Sequence, residues 1–215
     1  MFKRVLLLAT GLAITAAGAC APAATQATRT SGTPGVSEAD LAAAALADSV
    51  RHSYSQADID FMAGMIHHHA QALVMSRLAP THGASGPLGI MTRRIINAQK
   101  DEIALMERWL EDRDEQVPDT GMDKGPMMPG MLTDDQLDAL GAAQGLEFDR
   151  LFLTYMIQHH RGAVTMVSEL FATDGAAREQ TVFKLASDIE ADQASEIVRM
   201  QSMLSENLFE SDVSP

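Results

Sequence analysis

Hydrophobic residues recur at helical spacing through most of the chain. Ile95, Ile96, Ile103, Met106 and Leu110 illustrate the pattern, because they fall along one stretch at the intervals of a helix face. The same periodicity, bounded by turn residues, predicts helices over about residues 38–52, 55–79, 87–111, 146–172 and 177–204, with a short helix that opens at residue 133 and breaks near residues 141–145. An all-α fold is therefore expected.

Three of the predicted helices begin with recognisable signals. Ser55 and Asp58 form a capping-box pattern in which Asp replaces the usual Glu. Pro87 suits the first turn of a helix, and Thr133 stands as an N-cap before two acidic residues.

One short motif occurs twice. Met65-Ile66-His67-His68-His69, followed by Ala72 and Met75, returns 91 residues later as Met156-Ile157-Gln158-His159-His160, followed by Ala163 and Met166. At about 100° per residue, one arc of about 140° contains Met62, Met65, His68, His69, Ala72 and Met75. His67 points the other way, toward solvent. Gln158 occupies the equivalent position in the second copy. The predicted inward set is His68, His69, His159 and His160.

The repeat extends beyond the histidines. Phe61 and Asp58 recur as Phe152 and Asp149 at the same offset, and the pattern Gln99-x-x-Glu102-Ile103 recurs as Gln193-x-x-Glu196-Ile197 at an offset of 94. The chain therefore contains two copies of a helical hairpin joined by a long crossover, and two such hairpins bury their apolar stripes best as a four-helix bundle. The repeat predicts a pseudo-twofold axis that brings the two motif helices together, with Ala72 and Ala163 allowing a close approach.

Composition agrees with a helical core and limits the partners. Hydrophobic residues make up 46% of the chain but aromatic residues only 5%, which favours helices over a β-sandwich. The formal net charge is -13, and so acidic a fold repels nucleic-acid phosphates and anionic lipid headgroups. No nucleic-acid partner is predicted, and contact with a membrane is expected only through an anchor.

The first residues have the features of an export signal. Lys3 and Arg4 precede an apolar run too short to span a bilayer, and residues 17–19 suit cleavage. Cys20 follows directly and resembles the lipid-modified first residue of bacterial lipoproteins, although Ala17 stands where a larger aliphatic residue is usual; a free exported protein is the alternative. Either location lies outside the cytoplasm, in the periplasm or cell envelope. The predicted organisation is a signal peptide (1–19), a tether (20–36), a helical domain (37–207, with hairpins at about 55–111 and 146–205) and an acidic tail (208–215).

The doubled motif combines the donors that suit copper. Neutral imidazole and thioether both bind copper, and the thioether selects Cu(I), so two such helix faces could together complete a coordination sphere. The predicted ligands are His68, His69, His159, His160, Met65, Met75, Met156 and Met166. The alternative is that the methionines fill the core and the histidines are hydrogen-bonded core residues, but four buried imidazoles would then need many partners.

A di-iron site is disfavoured because it needs Glu three residues before the ligand His. The residues at those positions are Met65, Ile66, Met156 and Ile157. Glu102 and Glu196 border the apolar stripes of the partner helices, where they could orient the imidazoles or simply face solvent. Asp58 and Asp149 are expected to stabilise helix starts through the helix dipole.

The crossover holds a second group of methionines, Met122, Met127, Met128 and Met131, among Gly and Pro residues. Exposed methionines have no packing reason to cluster in a loop, so these thioethers are predicted to accept a soft metal. The alternative is that they plug one end of the bundle. No motif predicts covalent catalysis or an organic cofactor.

At Phe61-x-x-x-Met65-Ile66-x-His68-His69-x-x-Ala72-x-x-Met75, and again from Phe152 to Met166, the chain resembles the "domain of unknown function 305" family over about residues 55–205. The resemblance implies a ferritin-like four-helix fold in exported bacterial proteins and, for some members, periplasmic copper binding and copper tolerance. The expected function is therefore that of an exported copper-binding protein that buffers the metal or hands it on. Two alternatives stay open, a structural or partner-binding envelope bundle without a metal role and a metal-dependent redox enzyme.

Overall fold

The computed structural model describes residues 36–51, 53–120 and 127–213, and within these ranges every regular element is a helix. The helices are α1 (Glu38–Arg51), α2 (Gln56–Ser76), α3 (Gly86–Glu111), α4 (Asp134–Ala142), α5 (Gly145–Ala172) and α6 (Gln180–Val213). The predicted all-α fold is confirmed. The predicted signal peptide, Cys20, most of the tether and Met122 lie outside the described residues.

The predicted helix starts are found where the sequence signals place them. The Ser55 hydroxyl accepts a hydrogen bond from the Asp58 backbone N–H, and the Asp58 carboxylate accepts one from the Ser55 N–H at 2.7 Å. Thr133 makes the same reciprocal arrangement with Gln136 at the start of α4. Helix α6 begins later than predicted because Ala177 has φ +51, in the left-handed region that a right-handed helix excludes.

Two hairpins form the bundle. Helix α2 packs on α3 and α5 packs on α6, while α2 contacts α5 between the hairpins and the short α4 lies against α5. Helix α1 is exposed over residues 38–46, so this part of it adds no side chain to the core.

Two hydrophobic clusters fill the bundle. The first joins the N-terminal halves of α2 and α6 to the C-terminal halves of α3 and α5, with Phe61, Met65, Trp109, Val167 and Ile189 among its buried members. The second joins the other halves of these helices to α4, with Leu88, Ile95, Leu140, Phe148 and Met156 among its members. The paired histidines of α2 and α5 fall between the residues that these helices contribute to the two clusters. A polar layer therefore crosses the middle of an otherwise apolar core.

Two buried carboxylates tie the hairpins to each other. Asp58 accepts a hydrogen bond at 2.7 Å from the backbone N–H of Ala177, in the turn of the second hairpin. Asp149 accepts one at 3.2 Å from the backbone N–H of Ser85, in the turn of the first. Asp58 does cap its own helix, as predicted, but Asp149 lies past the first turn of α5. The Asp149 carboxylate lies at the start of a helix, as expected, but that helix is α3 of the opposite hairpin, whose N-cap residue is Ser85.

Candidate metal site

The two motif helices bring all four predicted histidines into the buried middle layer. The side chains of His68, His69, His159 and His160 are fully buried. The rings of His68 and His159 lie with centroids 3.8 Å apart and planes 40° apart. Within each helix the paired ring centroids are 6.5 Å apart in α2 and 6.3 Å apart in α5. The predicted contact between the motif helices is confirmed.

Two glutamates on the partner helices orient His69 and His160, which we call the outer histidines. Nε2 of His69 lies 2.6 Å from Oε2 of Glu102, and Nε2 of His160 lies 2.6 Å from Oε2 of Glu196. A carboxylate that is ionised only accepts hydrogen bonds, so in each of these pairs Nε2 is the donor, and in the neutral form of the ring Nδ1 keeps a lone pair. This is the carboxylate–histidine arrangement that orients metal ligands in proteins. Of the two alternatives for these glutamates, orientation of the imidazoles is confirmed and exposure to solvent is not.

The two inner histidines, His68 and His159, differ from each other in their hydrogen bonds. Nε2 of His68 donates a hydrogen bond at 3.0 Å to the carbonyl oxygen of Pro129 in the crossover. Neither ring nitrogen of His159 has a partner in the described part of the chain. A single crossover breaks the twofold symmetry, because it can offer a carbonyl to only one of the two equivalent rings.

Every one of the four rings has an unpartnered Nδ1. The Nδ1 atoms of His68, His69, His159 and His160 are buried and make no hydrogen bond within the described ranges. Buried polar atoms in folded proteins are paired in the large majority of cases, so four such atoms in one layer are an exception to the usual pattern. Over the same ranges, no three His, Cys, Asp or Glu side chains are arranged to hold one ion.

Burial keeps the inner imidazoles neutral. The pKa of His68 is lowered from 6.5 to about 3, mainly because the ring is removed from water; the neighbouring His69 acts in the same direction, and the Pro129 carbonyl opposes the shift. Burial likewise lowers the pKa of His159 well below 6.5, with His68 as the next cause. Neutral imidazole is the form that binds metals, so both rings are ready to act as ligands at neutral pH.

A backbone segment of the crossover covers the site between α2 and α5. We call residues 128–132 the strap. A Cβ on Gly162 would lie 1.9 Å from the Pro129 carbonyl oxygen, so only glycine lets the strap lie this close to α5. Gln71 binds the other end of the strap. Its side-chain oxygen accepts a hydrogen bond from the Leu132 N–H at 2.7 Å, and its side-chain nitrogen donates one to the Leu132 carbonyl at 3.1 Å.

The strap explains residues whose role the sequence did not reveal. Gln158, predicted to face solvent, is half-buried and donates a hydrogen bond to the Gly130 carbonyl at 3.3 Å. Gln71 and Gly162 occupy equivalent positions in the two motifs. Gln71 forms hydrogen bonds with the strap, and Gly162 has no side chain that would collide with it. An isolated glycine inside a helical pattern costs stability and usually has a packing reason, and for Gly162 that reason is the contact with the strap.

The predicted methionine ligands occupy three different environments. Met65, Met75 and Met156 are fully buried within the hydrophobic clusters, and Met166 packs half-buried against the first cluster. Of the crossover methionines, Met127 is 66% exposed, whereas Met128 and Met131 are half-buried. The methionines of the crossover therefore do not share one environment.

A cavity of about 210 Å³ opens between α3 and α6, on the side away from the strap. Its lining includes Glu102 and Glu196, together with Gln99 and Gln193, whose buried amides have no partner within the described ranges. Burial raises the pKa of Asp192 in this cavity, and the charges of the two glutamates add to the shift. The described lining of the cavity holds three acidic side chains, Glu102, Asp192 and Glu196, and one basic side chain, Arg94, so acidic groups outnumber basic ones beside the histidine layer.

Removing the Glu102 carboxylate should destabilise the protein. A Glu102→Leu variant leaves the Nε2–H of His69 buried without its acceptor, so the free energy of unfolding is expected to fall by about 1–3 kcal/mol in urea titrations. Glu102→Gln keeps a carbonyl acceptor and should lose less. The control is Asp101→Leu on the exposed face of the same helix, and equal losses in the Glu102 and Asp101 variants would contradict the role assigned to the His69–Glu102 pair.

The fold and the site define a class of protein, a two-hairpin helical bundle whose middle layer holds buried histidines oriented by glutamates. The chain belongs to the family described as Domain of unknown function (DUF305), which matches residues 58–204. A comparison with curated proteins gives no match. In the part of the chain that the structure describes, no helix has the length and apolar character needed to cross a membrane.

Solved structures of the same family share the fold. A Streptomyces coelicolor protein of the family, described as secreted, is 27% identical with a TM-score of 0.63, over 70% of this chain and 93% of its own. A fragment from Deinococcus radiodurans is 25% identical with a TM-score of 0.62, over 71% of this chain and 98% of its own. CopM in its Cu(I)-bound form is 33% identical with a TM-score of 0.56, over 69% of this chain and 96% of its own.

Proposed function

We propose that this protein binds copper, as Cu(I), through the buried histidine layer of α2 and α5, and that it buffers the metal or hands it on. The observation that carries the proposal is the set of four buried Nδ1 atoms without partners. In three of the rings an oxygen acceptor holds Nε2–H, so the lone pair that a metal would use is on Nδ1.

The chemistry of the donors supports a soft or borderline ion. The inner histidines, His68 and His159, offer neutral imidazoles, and Met65 and Met156 stand one helical turn before them. Because no three His or carboxylate groups converge within the described residues, an ion in this layer would draw part of its coordination from thioether sulfur, which favours Cu(I). The relative CopM has been solved with Cu(I), Cu(II) and Ag bound, which agrees with this choice of ion.

Export belongs to the same proposal. The segment over residues 1–19 resembles a signal peptide, and Cys20 is placed to receive a lipid anchor. A relative described as secreted supports this location. We propose that the helical domain handles copper outside the cytoplasm, tethered through residues 20–36.

The test is a Cu(I) titration of the chain from residue 21 onward against a chromophoric chelator. The wild type should compete for Cu(I), and a variant with His68, His69, His159 and His160 all changed to Ala should lose the buried site while circular dichroism shows retained helix. His82→Gln serves as the control, because His82 lies outside the layer. Its ring contacts the backbone carbonyls of Leu78, in the turn of the first hairpin, and of Gly141, in α4. That variant should keep the full stoichiometry.

The principal alternative is a bundle whose histidine layer is only structural. The burial of Met65, Met75 and Met156 inside the apolar clusters favours it. Under this alternative the wild type does not compete with the chelator, and its unfolding midpoint is the same with and without Cu(I). A rise in the midpoint with added Cu(I) supports the copper proposal, because a ligand that binds only the folded state stabilises it.

A further inference from the structure

We propose a second, solvent-accessible soft-metal site formed by His67, Met128 and Met166 in the groove between α2 and α5, on one side of the strap. It shares no residue with the buried histidine layer. The inference extends the proposed function, because the ligand is the same kind of ion, Cu(I) or Ag(I). The role inferred for the site is to hold the ion at the surface, beside the layer.

The two thioether side chains meet over a glycine of α2. The groove has a volume of about 560 Å³ and is lined by Gly64, Met128 and Met166, among other residues. A Cβ placed on Gly64 would lie 3.1 Å from the sulfur of Met128 and 3.4 Å from the terminal methyl of Met166. Thioethers from the strap and from α5 therefore converge on one point at the surface of α2.

His67 adds a nitrogen donor to the same groove. It lies one helical turn after Gly64 and lines the groove, half-buried. Asp60 and Glu169 also line it, and among the described residues that line it there is no Lys or Arg. The two carboxylates give the groove the negative charge that attracts a cation. The imidazole and the two thioethers supply the donor atoms that select a soft cation.

The groove on the other side of the strap differs from this one in the side chains that line it. It has a similar volume, about 630 Å³, and is lined by Gln158 and Arg161 with no methionine. Gln158 is the repeat partner of His67. The two grooves flank the same backbone segment, but only the one with His67 combines imidazole, thioether and acidic groups.

The strap connects the surface site to the buried layer. Met128 lines the groove, and the next residue, Pro129, accepts the hydrogen bond of His68 through its carbonyl. An ion held by Met128 therefore sits next to the residue that covers the inner histidines. Movement of the strap would act on both sites at once.

The experiment combines Cu(I) competition with methionine methyl NMR, using Ag(I) as the diamagnetic probe. The site variant carries His67→Gln, Met128→Leu and Met166→Leu, and the matched control is Met127→Leu, the exposed neighbour on the same crossover. The site variant should bind one Cu(I) fewer than the wild type. In the wild type the methyl signals of Met128 and Met166 should shift early in the Ag(I) titration, and no methyl of the variant should shift at that stage. The control should match the wild type in both.

The failures of the two proposals are distinguishable. If the wild type and the site variant bind the same amount of Cu(I), and Ag(I) leaves the Met128 and Met166 methyl signals of the wild type in place, the surface site is overturned while the buried site stands. If the four-histidine variant keeps one Cu(I) that disappears on adding His67→Gln, the surface site is supported independently of the layer. If the wild type binds no Cu(I) or Ag(I), both proposals fail.

Discussion

A Gly162→Ala variant is expected to unfold more easily than the wild type by about 1–3 kcal/mol, the usual cost of forcing atoms into a filled space. Alanine is intrinsically the better helix residue by about 1 kcal/mol, so sequence propensity predicts the opposite sign. The contact decides the outcome. The new Cβ would lie 1.9 Å from the Pro129 carbonyl oxygen and 2.4 Å from the carbonyl carbon, and a backbone carbonyl cannot rotate away as a flexible side chain can.

The same change should weaken the link between the strap and His68. If the strap moves outward, the Pro129 carbonyl leaves Nε2 of His68, and a buried donor loses its acceptor. Urea titration gives the stability, and the imidazole 15N shifts of His68 report whether its hydrogen bond survives.

Gly141→Ala is the matched control, because a Cβ there meets nothing within 4 Å and the site lies in a helix. It should be neutral or slightly stabilising. If Gly162→Ala were also neutral or stabilising, with His68 unchanged, the close contact between strap and helix would have to be abandoned.

The parts of the fold that were predictable from sequence are those that depend on local patterns. Periodicity and capping signals placed the helices, and the capping box at Ser55 and Asp58 is found as predicted. The repeat predicted that α2 and α5 meet at the histidines, because a doubled motif on two apolar stripes has few ways to pack. The sequence placed Glu102 and Glu196 beside the apolar stripes and left two alternatives for them, of which the structure shows the contact with His69 and His160.

The parts that could not be predicted depend on contacts between segments far apart in the chain. Nothing near Asp149 in sequence indicates that it binds the N–H of Ser85 in the other hairpin. The strap is equally non-local, because Gln71, Gly162 and Pro129 come from three segments. The crossover methionines show the limit most clearly. Their clustering in sequence suggested a shared role, but Met127 lies outward while Met128 lies in a groove.

Apo protein is expected to lose stability as the pH falls below about 6.5. The folded-state pKa of His68 is about 3, against an ordinary value of 6.5, so between these values the unfolded chain binds a proton that the folded chain excludes. The free energy of unfolding therefore falls with decreasing pH, by about 1.4 kcal/mol per pH unit for one such histidine. The loss from His68 reaches about 3 kcal/mol by pH 4.5. His159 adds to it in the same direction, since burial lowers its pKa as well.

His159→Leu separates this effect from the titration of the carboxylates. His159 has no hydrogen-bond partner on either ring nitrogen in the described part of the chain, so leucine removes a titrating group without leaving another group unpaired. At neutral pH the apo variant should be about as stable as the wild type, and its stability should fall less steeply toward pH 4.5. The comparison is made by urea titration in the presence of a chelator, at neutral pH and at about pH 4.5. The same slope in both proteins would mean that the buried imidazole does not remain neutral in the folded state, and the lone pair assigned to it as a metal ligand would be lost with it.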